Sequence, residues 1–135
     1  KILSGRKINK GKAKGEALVA YSPISFYGGV DMDTGVIVDP DNELNGQNIS
    51  GKILVFPVGK GSTGGSTTLY ELACSRKAPK AIICNRINPI IATGAIMGNI
   101  PSMDQVAPDP LKEIKTDDMV EIDADQGIIK VWSHI

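Results

Sequence analysis

The residues best suited to do chemistry are the eight from Gly59 to Ser66, GKGSTGGS, which hold four glycines and two serines. A strand-like apolar run, KILVFPV at 52–58, comes before them, and a helix-like stretch, TTLYELACSRK, comes after. A strand–glycine–helix passage is a ready anion site. Glycines turn tightly and bare their N–H groups, and a helix start adds positive potential. The expected donors are the amides from Gly61 to Ser66. Serine and glycine are also the ordinary residues of turns. Yet four glycines in eight residues is more permissive backbone than a turn needs, at a cost in backbone entropy.

Three named motifs compete for the same residues. Gly59-x-Gly61-x-x-Gly64 matches a dinucleotide fingerprint, but Asn85 and Arg86 stand where a ribose-binding acid belongs about twenty residues on. A phosphate-binding P-loop needs lysine where Gly65 stands. A phosphohistidine loop needs a histidine beside its glycines, and the one histidine is His134, in the tail. What is left is a hydroxyl, Ser62, among glycines at a helix start.

Such a hydroxyl cannot be a base unaided. An alcohol has a pKa of roughly 15, so an alkoxide near neutral pH costs on the order of 11 kcal/mol. A helix N-terminus offsets at most ~2 kcal/mol, and each oxyanion-hole-type donor ~3 to 4 in a dry site. Two donors and the dipole approach the requirement only where water is excluded. A chain this small promises no deep pocket of its own.

Stepping outward, the elements that must hold this loop are short. GEALVAY at 15–21 and GVIV at 35–38 read as strands, with a loop marked by Pro23, Gly28 and Gly29 between them. PDNELNGQNISG at 40–51 is turn chemistry. The runs at 52–58 and 81–85 read as strands buried on both faces. Between them lies a helix, started by Ser66 or by a Thr68–Glu71 capping box, with Leu69, Leu72 and Ala73 on its inner face. Residues 52–85 thus form one central β–loop–α–β unit. Asn88-Pro89 reads as a cap with proline in the first turn, opening a second helix that Ile100-Pro101 closes. DDMVEIDADQGIIKVW reads as two alternating strands joined at 125–127. The class is α/β, β-rich, and the whole of 1–135 reads as one domain.

Composition narrows the partners. Fifteen basic residues meet fifteen acidic ones, so nothing advertises a nucleic-acid surface. No apolar run approaches a membrane span, and the N-terminus has no apolar leader, so a cytoplasmic address is expected. Cys74, Cys84 and His134 are the whole stock of soft ligands, too few for a four-ligand zinc site or a cysteine-held cluster. Both cysteines fall in apolar stretches and read as small buried hydrophobes. Asn48-Ile49-Ser50 fits a glycosylation sequon by chance. Asp31-x-Asp33 is too sparse for a calcium loop. Ile90, Ile91, Ile96 and Met97 read as core in preference to a docking face.

Three ordered blocks, FYGGVDMDTG at 26–35, GKILVFPVGKGSTGGSTTLYEL at 51–72 and NPIIATGAIMGNIP at 88–101, resemble the small subunit of aconitase X. The resemblance covers most of the chain. It implies a swivelling β/β/α fold like the mobile domain of aconitase, and a large partner subunit that carries a [4Fe-4S] cluster. It also implies hydro-lyase activity. Archaeal members dehydrate (R)-5-phosphomevalonate to trans-anhydromevalonate 5-phosphate, and related bacterial enzymes act on hydroxyproline. In that family the loop serine is taken as the base, which falls here on Ser62.

The resemblance brings Gly61, Thr63, Ser66 and Lys60 to a small phosphorylated hydroxy acid. The corresponding aconitase loop has an arginine that is absent here. Relatives carry arginine where Lys60 stands, and lysine is a point charge without the bidentate fork. Gly28, Gly29 and Asp31 form a second loop placed to approach the substrate, though a turn with a solvated aspartate reads equally well. The opposing reading is a non-catalytic anion-binding or scaffolding module.

Overall fold

The two runs that read as strands buried on both faces feed two different cores. In β3 (Ile53–Val58), Ile53 and Val55 enter one core while Leu54 and Phe56 enter the other. β4 (Ala81–Arg86) repeats the pattern, with Ala81 and Ile83 on one side and Ile82 and Cys84 on the other. A period of two with both faces apolar is what a strand needs when it is covered on each side. The computed structural model describes residues 1–60 and 64–133; Gly61, Ser62, Thr63, His134 and Ile135 lie outside the described residues.

β3 and β4 belong to a closed barrel with β1 (Ile2–Asn9), β2 (Lys12–Val19), β5 (Ser102–Ala107), β6 (Met119–Asp123) and β7 (Ile128–Trp132). The order around it is β1-β5-β4-β3-β2-β6-β7, closed by β7 against β1. Neighbours from β2 through β5 run parallel, and the remaining pairs are antiparallel. The first core fills the barrel with residues from every strand, among them Leu3, Val19, Met103, Ile122 and Val131, and Ile114 joins them from the end of α3 (Pro110–Glu113). The second lies outside the parallel strands, under α1 (Gly64–Cys74), α2 (Pro89–Met97) and a long excursion over 20–50 that buries Phe26, Ile37 and Ile49.

Several expectations are met and others are corrected. The cap at Asn88 forms: its Oδ1 accepts the Ile91 N–H at 2.8 Å, with proline in the first turn. The β6–β7 hairpin turns through Gly127 at φ 70°, as the alternation predicts. The strand read at 15–21 runs instead over 12–19. GVIV at 35–38 is not a strand but makes isolated bridges to Val30 and Asn48, because the excursion satisfies its backbone by local turns. α1 starts at Gly64, so Ser66 lies in its first turn and not at its cap, and Thr68 is buried mid-helix beside Leu69. The parallel region is wider than one β–loop–α–β unit, since β2 and β5 flank it.

β1 and β5 carry no clean alternation: their register shifts between Ser4 and Arg6 and between Lys7 and Asn9, and a charge pair crosses them. Arg6 donates through Nε and Nη2 to both carboxylate oxygens of Asp104, at 2.8 and 2.9 Å. Asp104 is fully buried, is Arg6's partner in register, and also accepts the Ile87 N–H at 3.0 Å. A bidentate guanidinium is the partner that best satisfies a desolvated carboxylate. Burial, then the nearby Asp104 charge, pushes the Cys84 thiol up to about 12. It stays a thiol and a packing residue.

α1 and α2 touch through glycine. A Cβ at Gly94 would lie 2.9 Å from the Ser66 carbonyl oxygen and 3.0 Å from its Cα, and one at Gly98 would lie 2.9 Å from the Ala73 Cβ. Alanine gains ~1 kcal/mol of helix propensity over glycine, but overpacking against backbone costs ~1 to 3. Gly94→Ala is therefore expected to lower the urea midpoint with an unchanged slope, a net loss on the order of 1 kcal/mol. An unchanged or higher midpoint would mean that the helices separate freely.

Candidate functional site

The C-terminal end of β3 is pinned on two sides, by the excursion and by α2. Ile24 N–H donates to the Val58 carbonyl at 3.1 Å, and Lys60 N–H donates to the Ile24 carbonyl at 2.8 Å, so the excursion runs alongside the strand end. Gly59 lies against the start of α2, where a Cβ would collide with Ile91 Cδ1 and come within 2.9 Å of Asn88 Nδ2. Only glycine fits at this strand end.

Lys60 Nζ is 3.3 Å from the Asp39 carboxylate. Asp39 Oδ1 also accepts the Asp41 N–H at 2.9 Å. That amide first, and then Lys60, hold the Asp39 carboxyl below the usual carboxylate range, against the opposing effect of partial burial. A depressed pKa in the folded state adds stability at pH above the ordinary carboxylate value, and this is lost as pH falls through the lowered one. In a carbon-13 titration Asp39 is expected to protonate at lower pH than an ordinary aspartate, and Lys60→Gln to move it upward. Titration of Asp39 at or above the ordinary value would exclude the pair from solution. Lys60 is thus a cation already partnered, and half exposed.

The first turn of α1 meets the second glycine loop. A Cβ at Gly64 would lie 2.7 Å from Tyr27 Cδ1 and 2.8 Å from its Cγ, so the tyrosine ring rests on the helix backbone. Gly28 takes the left-handed φ of 76°, and a Cβ at Gly29 would strike the Ser25 carbonyl oxygen. Ser25 Oγ donates to the Tyr27 carbonyl at 3.0 Å. Only glycine closes this turn, and the closed turn carries Tyr27 to α1. Asp31 points its chemistry elsewhere: its Oδ1 accepts the Asp33 and Thr34 amides at 2.8 and 3.3 Å, within its own turn.

Of the residues singled out from sequence, Lys60, Ser66 and the Gly28–Gly29 loop therefore converge on the two ends of one short segment. Gly61, Ser62 and Thr63, which span it, lie outside the described residues. Tyr27 and Asp39 were missed. Tyr27 stood inside a block noted for its glycines, and Asp39 is bound to Lys60 by no periodicity. Ile91 is buried as expected, Ile90 is half-buried, and Ile96 and Met97 are 53% and 49% exposed, which corrects the core reading for those two.

A groove of about 480 Å³ on β2, β6 and β7 is built from other residues, including Lys12, Lys14, Glu121 and Asp123. It mixes both charge signs and is lined by no hydroxyl or thiol. Among the described residues no group of three His, Cys, Asp or Glu side chains is gathered to hold a metal ion. Cys74 is exposed at the end of α1 while Cys84 is buried in β4, so the described residues do not fit an iron–sulfur cluster.

Comparison with known proteins bears on the fold and the family. A phosphomevalonate dehydratase small subunit from Thermococcus kodakarensis is 50% identical over 129 residues, which is 96% of this chain and 95% of that one. The solved holo form of aconitase X from that organism superposes with a TM-score of 0.93 at 48% identity, covering 98% of this chain and 99% of that one. A 3-isopropylmalate dehydratase structure from Methanocaldococcus jannaschii, at 19% identity and TM-score 0.59, covers 93% of this chain and 85% of that one and shares the fold. The family described as the aconitase X swivel domain matches residues 2–131, and this chain belongs to it.

Proposed function

We propose that this chain is one swivel domain serving as the small subunit of a two-component hydro-lyase, which dehydrates (R)-5-phosphomevalonate to trans-anhydromevalonate 5-phosphate in the mevalonate route. The reading rests on the relatives bearing that name along nearly their full length. It is supported by a serine–glycine segment whose two flanks are both anchored.

Dehydration removes a proton from carbon and hydroxide from the neighbouring carbon, leaving a double bond. Ser62 takes the proton in this reading. The amides of the first turn of α1, with Gly61, Thr63 and Ser66, face the anionic substrate. Lys60, already neutralised in part by Asp39, contributes a weaker field than a free cation would. Cleavage of the carbon–oxygen bond falls to groups this chain does not supply. The large subunit brings the iron–sulfur cluster and closes the site against water. With fifteen basic and fifteen acidic residues the composition advertises no nucleic-acid surface, and the reading assigns the chain a small phosphorylated acid in a protein-enclosed site. Among the described residues no helix is long and apolar enough to cross a membrane, and the reading takes the enzyme as cytoplasmic.

The test is co-purification with the large subunit, then a dehydratase assay on 5-phosphomevalonate and on hydroxyproline. Turnover of the first alone is expected, and preference for hydroxyproline would reassign the substrate. Anaerobic treatment of this chain alone with iron and sulfide is expected to leave it without the broad visible absorption of a cluster. Stoichiometric absorption would refute the two-chain division.

A further inference from the structure

We propose that Tyr27 is a positioning residue for this reaction: its ring, resting on the backbone of Gly64, holds the first turn of α1, whose amides the function proposed above turns toward the substrate. The inference rests on the function proposed above. Gly64 is a poor choice for a helix start on propensity alone, costing ~1 kcal/mol against alanine. It lies within α1, whose backbone conformation does not call for glycine. Space does, because three atoms of the Tyr27 ring, Cδ1, Cγ and Cε1, lie 2.7 to 3.1 Å from where a Cβ would be.

Tyr27 in turn is not placed there by the hydrophobic core. It is 61% exposed, whereas its neighbour Phe26 is buried and meets Phe56 edge-on, with centroids 6.2 Å apart. The loop that carries it is closed by Gly28 at positive φ, by Gly29 against the Ser25 carbonyl and by the Ser25 hydroxyl on the Tyr27 carbonyl. A rigid loop that presents an exposed aromatic ring to a residue lacking a side chain does little for folding. It fixes the place of the helix start. A misplacement of about 1 Å near reacting groups costs up to ~10²-fold in rate, so the ring's contribution should appear in turnover.

The experiment uses the assembled two-subunit enzyme with 5-phosphomevalonate, comparing Tyr27→Phe, Tyr27→Ala and Gly64→Ala. Tyr27→Phe keeps the ring and is expected to hold kcat within about twofold of the unmodified enzyme. Tyr27→Ala is expected to lower kcat about tenfold or more with KM nearly unchanged, the pattern of lost transition-state alignment, and with little change in melting temperature. Gly64→Ala is expected to fall in the same direction. Tyr27→Ala at full kcat would overturn the proposal. A Tyr27→Phe loss as deep as that of alanine would overturn it too, by putting the role in the phenol oxygen.

A second readout is independent of turnover. The ring-current shift of the Gly64 α-protons is expected in the labelled full chain, kept in Tyr27→Phe and lost in Tyr27→Ala. Its absence from the unmodified chain would refute the contact itself. If the unmodified enzyme fails to act on 5-phosphomevalonate, the functional reading falls and this inference with it, whereas intact turnover with an indifferent Tyr27 removes the inference alone.

Discussion

Ser62→Ala is expected to abolish most turnover of the two-subunit enzyme while leaving the chain folded and assembled. The loss follows from what the reaction needs. A carbon-bound proton must be removed, and the function proposed above gives that task to Ser62. General-base catalysis contributes typically ~10² to 10⁴, so turnover should fall at least that far. Substrate binding should suffer less, because the amides remain. Folding should suffer little, since even a capping hydroxyl is worth about 0.5 to 2 kcal/mol. Thr63→Ala and Ser66→Ala are the controls, each costing well under that factor if they only support the loop. Steady-state kinetics with melts on every variant decide the matter. Retention of more than about a tenth of normal turnover by a folded, assembled Ser62→Ala enzyme would pass the base to the large subunit.

Phe56→Ala is expected to be the most destabilising single truncation in the outer core. Phe56 is fully buried and joins β3 to the excursion by its edge-on contact with Phe26. Removal of a buried phenylalanine costs ~3 to 5 kcal/mol, transfer and cavity together. In a domain of this size that lowers the melting temperature by on the order of 10 °C or more. The cavity would open beneath the loop that carries Tyr27, so activity should fall along with stability, unlike the Ser62 variant. Urea unfolding gives the comparison, with Val55→Ala as the reference on the barrel side of the same strand. A loss under about 1 kcal/mol for Phe56→Ala would mean that the excursion is not fastened there.

Much of the scaffold was legible because its signals are local. The runs at 52–58 and 81–85 announce buried strands by unbroken apolarity, and Asn88-Pro89 announces a helix by a side-chain acceptor and a residue without an N–H. The 125–127 turn announces a hairpin by alternation on either side. The glycine–serine segment was legible by composition. The start of α1 misled, because Thr68 and Glu71 imitate a capping box while Gly64 and Gly65, weak helix formers, open the helix.

By itself, then, the sequence determined the central β–loop–α–β unit, the second helix, the final hairpin and which residues compose the glycine–serine segment. Only the tertiary structure decided that the sheet closes into a barrel. β1 and β5 carry charges that look like surface until Arg6 finds Asp104, 98 residues away along the chain. The flanks of the segment were decided in the same way: Lys60 is held by Asp39, and Gly64 lies under Tyr27. A cap or a turn is stabilised by residues a few positions apart, so its chemistry is written in order. A buried ion pair or a ring on a glycine is stabilised only when distant segments meet, and no periodicity encodes that meeting.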